Sequence, residues 1–476
     1  MSGYGGAPKL KLSTQQVAER LGVKPETVYA YVSRGLLHSV REQGGRGSWF
    51  DPDAVEALAV RSRQAQYQGE QGPGFHGLSA SGAATQPVIA TSLTQMRGGR
   101  LYYRGLDVSQ LAQSESFESV AGLLWNGELG SAPVFKAAQP TVELVRTVCA
   151  ALPASAKLPD LLRIVPPVVS ATDPLRFDTR PGPVVSAAAS LLAIMVEALP
   201  SIGESPAADH GKVHAAGLAQ GRDSGRDTGV GAGSDADAST GTGTGTGTAK
   251  DAGSTANREM AGSTSIAERL WPKLTRRPPT AEGVKALNAA LIVMADHDLA
   301  VSTLAGRVAA SARAHPYAVV SAALGAFDGP LHGAAGSHAY RLLTDALASG
   351  DPVAAYADRL RTQGWVEGFG GRTYPDGDPR AIVLLDLLAR ADIPPGVRAA
   401  ADGLVETARR QGPDSPNVDF ALPLLAHAYG MVPDAGEVIF IVGRTAGWIA
   451  HALEEYEEPA LRFRYQGTYR GVAPVE

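Results

Sequence analysis

The chain has 476 residues, 44% of them hydrophobic and 19% charged, with a formal net charge of −5. That length provides for two or three domains with a large core, and the acidic balance excludes nucleic-acid binding through an overall basic surface. The single cysteine, Cys149, excludes an internal disulfide and fits a reducing cytoplasm.

The N-terminal segment lacks the charged and apolar regions of a signal peptide. Apolar runs such as Ala187–Leu199 are too short and alanine-rich to cross a bilayer. A cytoplasmic protein without membrane contact is expected.

Residues 10–63 read as a compact unit, within a first domain set at 1–63. Ser13 or Thr14 can cap a helix whose apolar positions, Val17, Ala18 and Leu21, share one face. Gly22 supplies a tight turn, and Pro25 suits the first turn of a second helix carrying Val28 and Val32. Gly44-Gly45-Arg46-Gly47 then reads as a hairpin tip, with Trp49 and Phe50 returning to the core. The unit resembles the winged helix-turn-helix modules of MerR-type regulators and excisionases. That resemblance implies that Lys24, Thr27, Tyr31 and Arg34 face a DNA major groove, and that Arg41 and Arg46 approach phosphates. Nine Lys and Arg against six Asp and Glu over residues 1–63 is a mild basic excess, which leaves a protein-contact role open beside DNA binding.

Residues 64–77 are rich in Gln and Gly and read as a linker. A larger unit then begins at 78. Its first part, 78–201, contains Leu-Tyr-Tyr-Arg-Gly-Leu-Asp-Val at 101–108 and a segment from Phe117 to Gly130 with Leu-Leu-Trp-Asn-Gly-Glu-Leu; the tyrosines and leucines of the two are expected in the core. Residues 202–264 are Gly-, Ser-, Thr-, Ala- and Asp-rich, with Gly-Thr repeated across 241–248, and read as a disordered insertion. His210 and His214 within it are read as incidental, and no metal site is expected anywhere in the chain. Helical periodicity resumes at Ile266, Leu270 and Trp271, and 265–476 runs helix, loop, helix to its end. No alternating apolar and polar run argues for a sheet, so the larger unit is expected to be all-α.

Three segments carry chemistry: Gly-Pro-Leu-His-Gly at 329–333, Gly-Phe-Gly-Gly-Arg-Thr-Tyr-Pro-Asp-Gly-Asp-Pro-Arg at 368–380, and Pro-Asn-Val-Asp-Phe at 416–420. Together they resemble the active-site signature of the citrate synthase family, and the resemblance extends over about 78–201 and 265–471. It implies large and small helical domains with an active-site cleft between them, and condensation of acetyl-CoA with oxaloacetate to give citrate and CoA.

Such a condensation needs a carboxylate to take a methyl proton, donors for the enolate and for the ketone, and guanidinium forks for the acid's carboxylates. By resemblance Asp419 is the base and His332 the enolate donor. His297, in Ala-Asp-His-Asp-Leu, contacts the oxoacid from within a long helix, and Arg380 and Arg444 grip its carboxylates. Arg462 reaches into a partner subunit's site, although Phe463 replaces the family's usual proline and leaves Arg464 as an alternative. Phe369 and Gly370 resemble the segment that recognises the adenine of coenzyme A, and Arg372 is placed to meet a CoA phosphate. The resemblance implies no tightly bound cofactor; acetyl-CoA is a co-substrate.

The second catalytic histidine of the family is missing. Its position is Gly371, which has no side-chain donor; Arg372 and His338 are the nearest substitutes. Loss of one such donor costs roughly a hundred- to thousandfold in turnover. A homodimer is expected, because Arg462 completes the partner's site. Two further readings stand beside the enzyme: a weakened domain that senses metabolites and controls DNA binding, and a partner in mixed dimers with an intact paralogue.

Overall fold

The computed structural model describes residues 12–21, 27–28, 31–32, 37, 39–41, 48–52, 55, 89–131, 133–202, 264–329, 332–333, 335–370, 373–374, 377–412, 415–467, 469 and 471. The linker at 64–77 and the Gly-Thr-rich tract, with His210 and His214, lie outside them, as do Lys24, Arg34 and Arg46. The chain divides into two compact units, 1–88 and 89–476.

In the first unit, strand β1 (Leu12–Ser13) leads directly into helix α1 (Thr14–Leu21). Ser13 Oγ accepts from Gln16 N at 3.3 Å while Gln16 Oε1 accepts from Ser13 N at 2.9 Å, a reciprocal cap that fixes the helix start. Strands β2 (Ser39–Arg41) and β3 (Ser48–Phe50) pair antiparallel with Arg41 opposite Ser48, and β1 joins on the other side of β3. The hairpin expected around the glycines at 44–47 is therefore present in its two strands. Val17, Ala18, Val28, Leu37, Phe50 and Val55 form a small core, and Leu12, Tyr31 and Val32 pack against it.

The second unit opens with strands β4 (Thr94–Arg97), β5 (Arg100–Tyr103) and β6 (Leu106–Asp107), a small antiparallel sheet in that order. The expected all-α class holds for this unit, with this one small sheet as an addition that the sequence reading did not foresee. Leu101 and Tyr103 do alternate with more exposed neighbours, but four residues are too few for a period of two to stand out. Helices α2 (Val108–Ser114), α3 (Phe117–Asn126), α4 (Gln139–Ala150), α5 (Leu158–Thr172) and α6 (Pro181–Ala198) follow. Helix α6 is long and apolar enough to cross a membrane, but 61% of it is buried inside the unit, as a core helix would be.

After residue 264 come α7 (Ile266–Leu274), α8 (Ala281–Met294), α9 (Val301–Ser311), α10 (Pro316–Phe327), α11 (Ala335–Ser349) and α12 (Pro352–Gln363). The last four are α13 (Pro379–Arg390), α14 (Pro395–Gln411), α15 (Val418–Ala428) and α16 (Ala435–Glu457). Helix α16, 23 residues long, packs against α3, α5, α6, α8, α9 and α10 and forms the axis of the unit.

Two glycines on α16 explain how closely it approaches α8. A Cβ at Gly443 would lie 2.7 Å from the carbonyl oxygen of Leu291, and one at Gly447 would lie 2.3 Å from that of Ala295. Instead Gly447 N donates to Ala295 O at 3.0 Å. Arg444, between the two glycines, is thereby pressed against the end of α8 and donates from Nε to Met294 O at 2.8 Å.

Candidate active site

The residues named from the sequence stand on three loops, at two helix starts and in the middle of α16. His297 was expected within a long helix, but α8 ends at Met294 and the histidine stands in the turn before α9. Asp298 makes that turn with φ 55°, a left-handed conformation that aspartate tolerates better than most residues. His332 lies in the turn between α10 and α11, where its backbone N donates to Gly329 O at 2.9 Å and Gly333 N donates to Phe327 O at 3.0 Å. Only glycine fits at 333, since a Cβ there would meet the same Phe327 oxygen at 2.5 Å. Helix α11 starts after His332, so His338 does not sit on a common helix with it. His338 Nδ1 is instead 2.9 Å from Glu367 Oε1.

Asp419 occupies the first turn of α15. Asn417 caps that helix by accepting from Asp419 N at 2.9 Å, and its amide donates to Gly370 O at 2.9 Å. Gly370 N donates to Ser415 O at 2.8 Å and Asn417 N to Gly368 O at 2.9 Å, around a β-bridge between Phe369 and Pro416. The segment at 368–370 is thus stitched to the segment that carries Asp419. Gly368 and Gly370 both have positive φ, 87° and 73°, as this sharp path requires. A cleft of about 350 Å³ runs alongside, lined by Trp365, Glu367, Gly368, Phe369, Asn417 and Asp419 among others.

Arg380 begins α13 and is held by the capping residue of its own helix. Asp378 accepts from Arg380 N and Nε, both at 3.0 Å, and from Nη2 at 2.8 Å. The same carboxylate accepts from Val418 N at 3.1 Å, which locks the starts of α13 and α15 together. Arg444 is buried, and its Nη2 has no hydrogen-bond partner. A buried guanidinium with an unused donor is costly unless a ligand supplies the acceptor.

The charges of the site follow from burial. Burial pushes the Asp419 carboxyl up; Arg380 opposes and Asp378 adds to the rise. His297 is held well below the usual imidazole value by burial, with Arg380 and Arg444 reinforcing it. His332 is pushed down to about 4 by burial, with Arg444 adding to it. Arg444 itself is lowered to about 10, again chiefly by burial. Both histidines are therefore neutral at pH 7.

Sequence reasoning missed several residues that shape this site. Ser302 Oγ lies 2.8 Å from His332 Nε2 and accepts from Trp448 Nε1 at 3.2 Å. Tyr374 Oη lies 2.9 Å from His297 Nε2. Asp296 is fully buried, receives Thr94 Oγ1, and pairs with His451 Nε2 at 3.2 Å. Each is defined by a partner distant in sequence, although Tyr374 and Asp378 lie inside the quoted motif and could have been singled out by it.

Arg462 forks onto Glu455 of its own chain at 2.6 and 2.5 Å, next to the buried Arg307. Arg464, the alternative, donates through its backbone N to Leu461 O at 2.9 Å. Gly371 and Arg372 lie outside the described residues, and Thr27 and Tyr31 of the first unit are only part-buried. Among the described residues no three His, Cys, Asp or Glu side chains gather as a metal-ligand group.

The architecture is that of a predominantly helical unit with a carboxylate and neutral imidazoles beside the part-buried Arg380 and the buried Arg444. Residues 82–466 match the family profile for citrate synthase, C-terminal domain, and residues 12–59 match one for a helix-turn-helix domain. The chain belongs to the citrate synthase family and carries a helix-turn-helix domain at its N-terminus.

Citrate synthase 2 of Bacillus subtilis is 34% identical over 212 residues, covering 43% of this chain and 56% of that one. The chain thus spans about half the length of several curated relatives. 2-Methylcitrate synthase 2 of Corynebacterium glutamicum is 27% identical over 427 residues, covering 85% and 97%. Among solved structures, the ternary complex of carboxymethyl coenzyme A and oxaloacetate with citrate synthase from Thermoplasma acidophilum superposes with a TM-score of 0.58 at 21% identity. It covers 82% of this chain and 96% of that one, a likeness of fold.

Proposed function

We propose that the second unit is a citrate synthase-type acyltransferase that condenses acetyl-CoA with oxaloacetate, slowed by glycine at position 371. The observation that carries this reading is the half-buried Asp419 carboxylate on a cleft of about 350 Å³, within the field of Arg380, which in turn neighbours the partly unpaired Arg444. In this reading Asp419 takes a proton from the thioester methyl group; its raised pKa makes it a stronger base than a solvent-exposed aspartate. Ser302 donates to His332 Nε2, so the hydrogen of the neutral ring sits on Nδ1 and is offered to the enolate oxygen. Arg380, Arg444 and His297 hold the oxoacid. Phe369, Gly370 and Arg372 receive coenzyme A.

The decisive experiment follows release of free CoA thiol from acetyl-CoA and from propionyl-CoA in the presence of oxaloacetate. Turnover that Asp419→Ala abolishes supports the reading; turnover unaffected by it overturns the assignment. Gly371→His is expected to raise turnover by ten- to a hundredfold or so with little change in oxaloacetate affinity, the signature of a donor used mainly in the transition state.

The same reading includes a homodimer. Val301, Leu304 and Val308 form an exposed apolar stripe on α9, whose opposite face buries Ser302, Thr303 and Arg307. A stripe of three aliphatic residues at helical spacing suits a second copy of the chain.

A second reading rests on the helix-turn-helix at 12–59 combined with Gly371: the unit binds oxaloacetate or acetyl-CoA and controls DNA binding through residues 10–63. It requires duplex affinity that falls steeply with salt and weakens in Arg46→Ala at all sequences alike. If full-length protein and residues 78–476 retain duplex equally, the first unit serves protein contact instead, and a mixed dimer with an intact paralogue becomes the reading to test.

A further inference from the structure

The condensation requires a proton for the ketone oxygen, and glycine at 371 cannot provide it. Of the two substitutes named from the sequence, His338 has its Nδ1 engaged with Glu367 at 2.9 Å, and Arg372 lies outside the described residues. Three positions beyond Gly371, on the same loop, is a group suited to the task. Tyr374 is 7% exposed, its hydroxyl is 2.9 Å from His297 Nε2, and the Arg380 guanidinium stands 5.9 Å from its ring centroid. Its phenol also lies within the field of Arg444, Asp378 and Asp298. It is therefore placed among the residues assigned to the oxoacid.

We propose that Tyr374 is a catalytic residue of this chain: its phenolic O–H hydrogen-bonds the ketone oxygen of the bound 2-oxoacid and supplies the proton that the missing histidine would have given. The inference rests on the acyltransferase reading above. His297 then acts as a positioning residue, and the hold on the oxoacid passes to Arg380 and Arg444. With its ring neutral, Nε2–H donates to Tyr374 Oη and turns the phenolic hydrogen towards the substrate. As the enolate carbon bonds to the ketone carbon, the carbonyl π pair moves onto oxygen, and that oxygen takes the phenol proton. The phenolate is left between Arg380 and Arg444, which favour its charge, and regains a proton from water as product leaves.

Burial raises the Tyr374 pKa, and Asp378 and Asp298 add to this while the two arginines oppose it. The phenol consequently stays protonated in the resting site and remains available as a donor at pH 7. A phenol is a weaker acid than an imidazolium, so the expected enzyme is slower than relatives that keep the histidine, yet not inert.

The test reads ketone polarisation directly. Oxaloacetate labelled with carbon-13 at C2 is bound to the full-length protein, and its carbonyl resonance is compared in wild type and Tyr374→Phe. A downfield shift on binding that disappears in Tyr374→Phe, with oxaloacetate affinity changed by no more than about threefold, supports the proposal. A roughly ten- to hundredfold lower kcat with unchanged KM for oxaloacetate is the matching kinetic result.

An equal shift in both proteins overturns it and leaves the oxoacid site standing, since another donor then polarises the ketone. Oxaloacetate bound with no shift in the wild type also overturns it while the site stands. Failure of the wild type to bind oxaloacetate overturns the acyltransferase reading together with it. Should Tyr374→Phe not fold, 3,5-difluorotyrosine at 374 keeps the ring and makes the phenol more acidic. A larger downfield shift supports the proposal, and an unchanged one overturns it.

Discussion

His332 and His297 are kept uncharged by the surroundings that make them useful, and this has a consequence for acid stability. An unfolded histidine titrates near 6.5, whereas folded His332 titrates at about 4. Between those values the unfolded chain binds a proton that the folded chain refuses, so stability is full above pH 6.5 and falls as pH drops towards 4. His297, also depressed, adds to the same slope. Urea midpoints measured at pH 7.5 and pH 5 are expected to differ less in His332→Asn than in wild type; an unchanged difference would refute the assignment. At this scale the motif residues were legible because they are contiguous, and His332, Asp419 and Arg380 could be named from them, whereas Arg444 stands outside the three segments and was named from the family resemblance. Ser302 could not, because nothing in its own neighbourhood marks it: its meaning comes from Trp448 and His332, 146 and 30 residues away.

Among the elements, the crossing of α8 and α16 does most to set the site. Arg444 is immobilised by Met294 O, and Asp296 and His297 leave α8 within three residues of that contact. Gly447→Ala puts a methyl group 2.3 Å from the Ala295 oxygen, and backbone cannot yield cheaply there. A loss of about 1–3 kcal/mol, read as a lower urea midpoint, is expected together with weaker oxaloacetate binding. Gly436→Ala is the control, since its Cβ would meet Leu422 at an ordinary 3.7 Å, and it should be close to neutral. Helices were easy to foresee from Pro and Gly punctuation and from runs such as Ile266 to Trp271. The small sheet at 94–107 was not, because its strands have two to four residues and Tyr103 is fixed by carbonyls of Ile292 and Asp296 rather than by a pattern of its own. The break of α8 before His297 was equally hidden, since it depends on one left-handed aspartate.

For the whole molecule, the stripe on α9 predicts assembly. Leu304→Glu places a charge in the middle of it and should shift the sedimentation-equilibrium mass of the full chain from dimer to monomer. A dimer that persists would move the interface elsewhere. Two contacts around α7 bear on how the chain may be cut. Ile202 N donates to Pro272 O at 2.9 Å, and Lys273 Nζ lies 3.2 Å from Ser201 Oγ. The last residues before the Gly-Thr-rich tract therefore rest on the far end of the helix that follows it. That helix spans nine residues, or about 13 Å at 1.5 Å per residue, a gap that some five or six linker residues bridge. Replacing 205–262 by such a linker should leave the thermal midpoint and oxaloacetate affinity unchanged, and a large loss of either would show that the tract contributes to the fold. Continuity of the polypeptide at this point is then a matter of genetics more than of architecture: the two halves, expressed together as separate chains, are expected to co-purify, with Thr94 and Tyr103 of the first closing over Asp296 of the second.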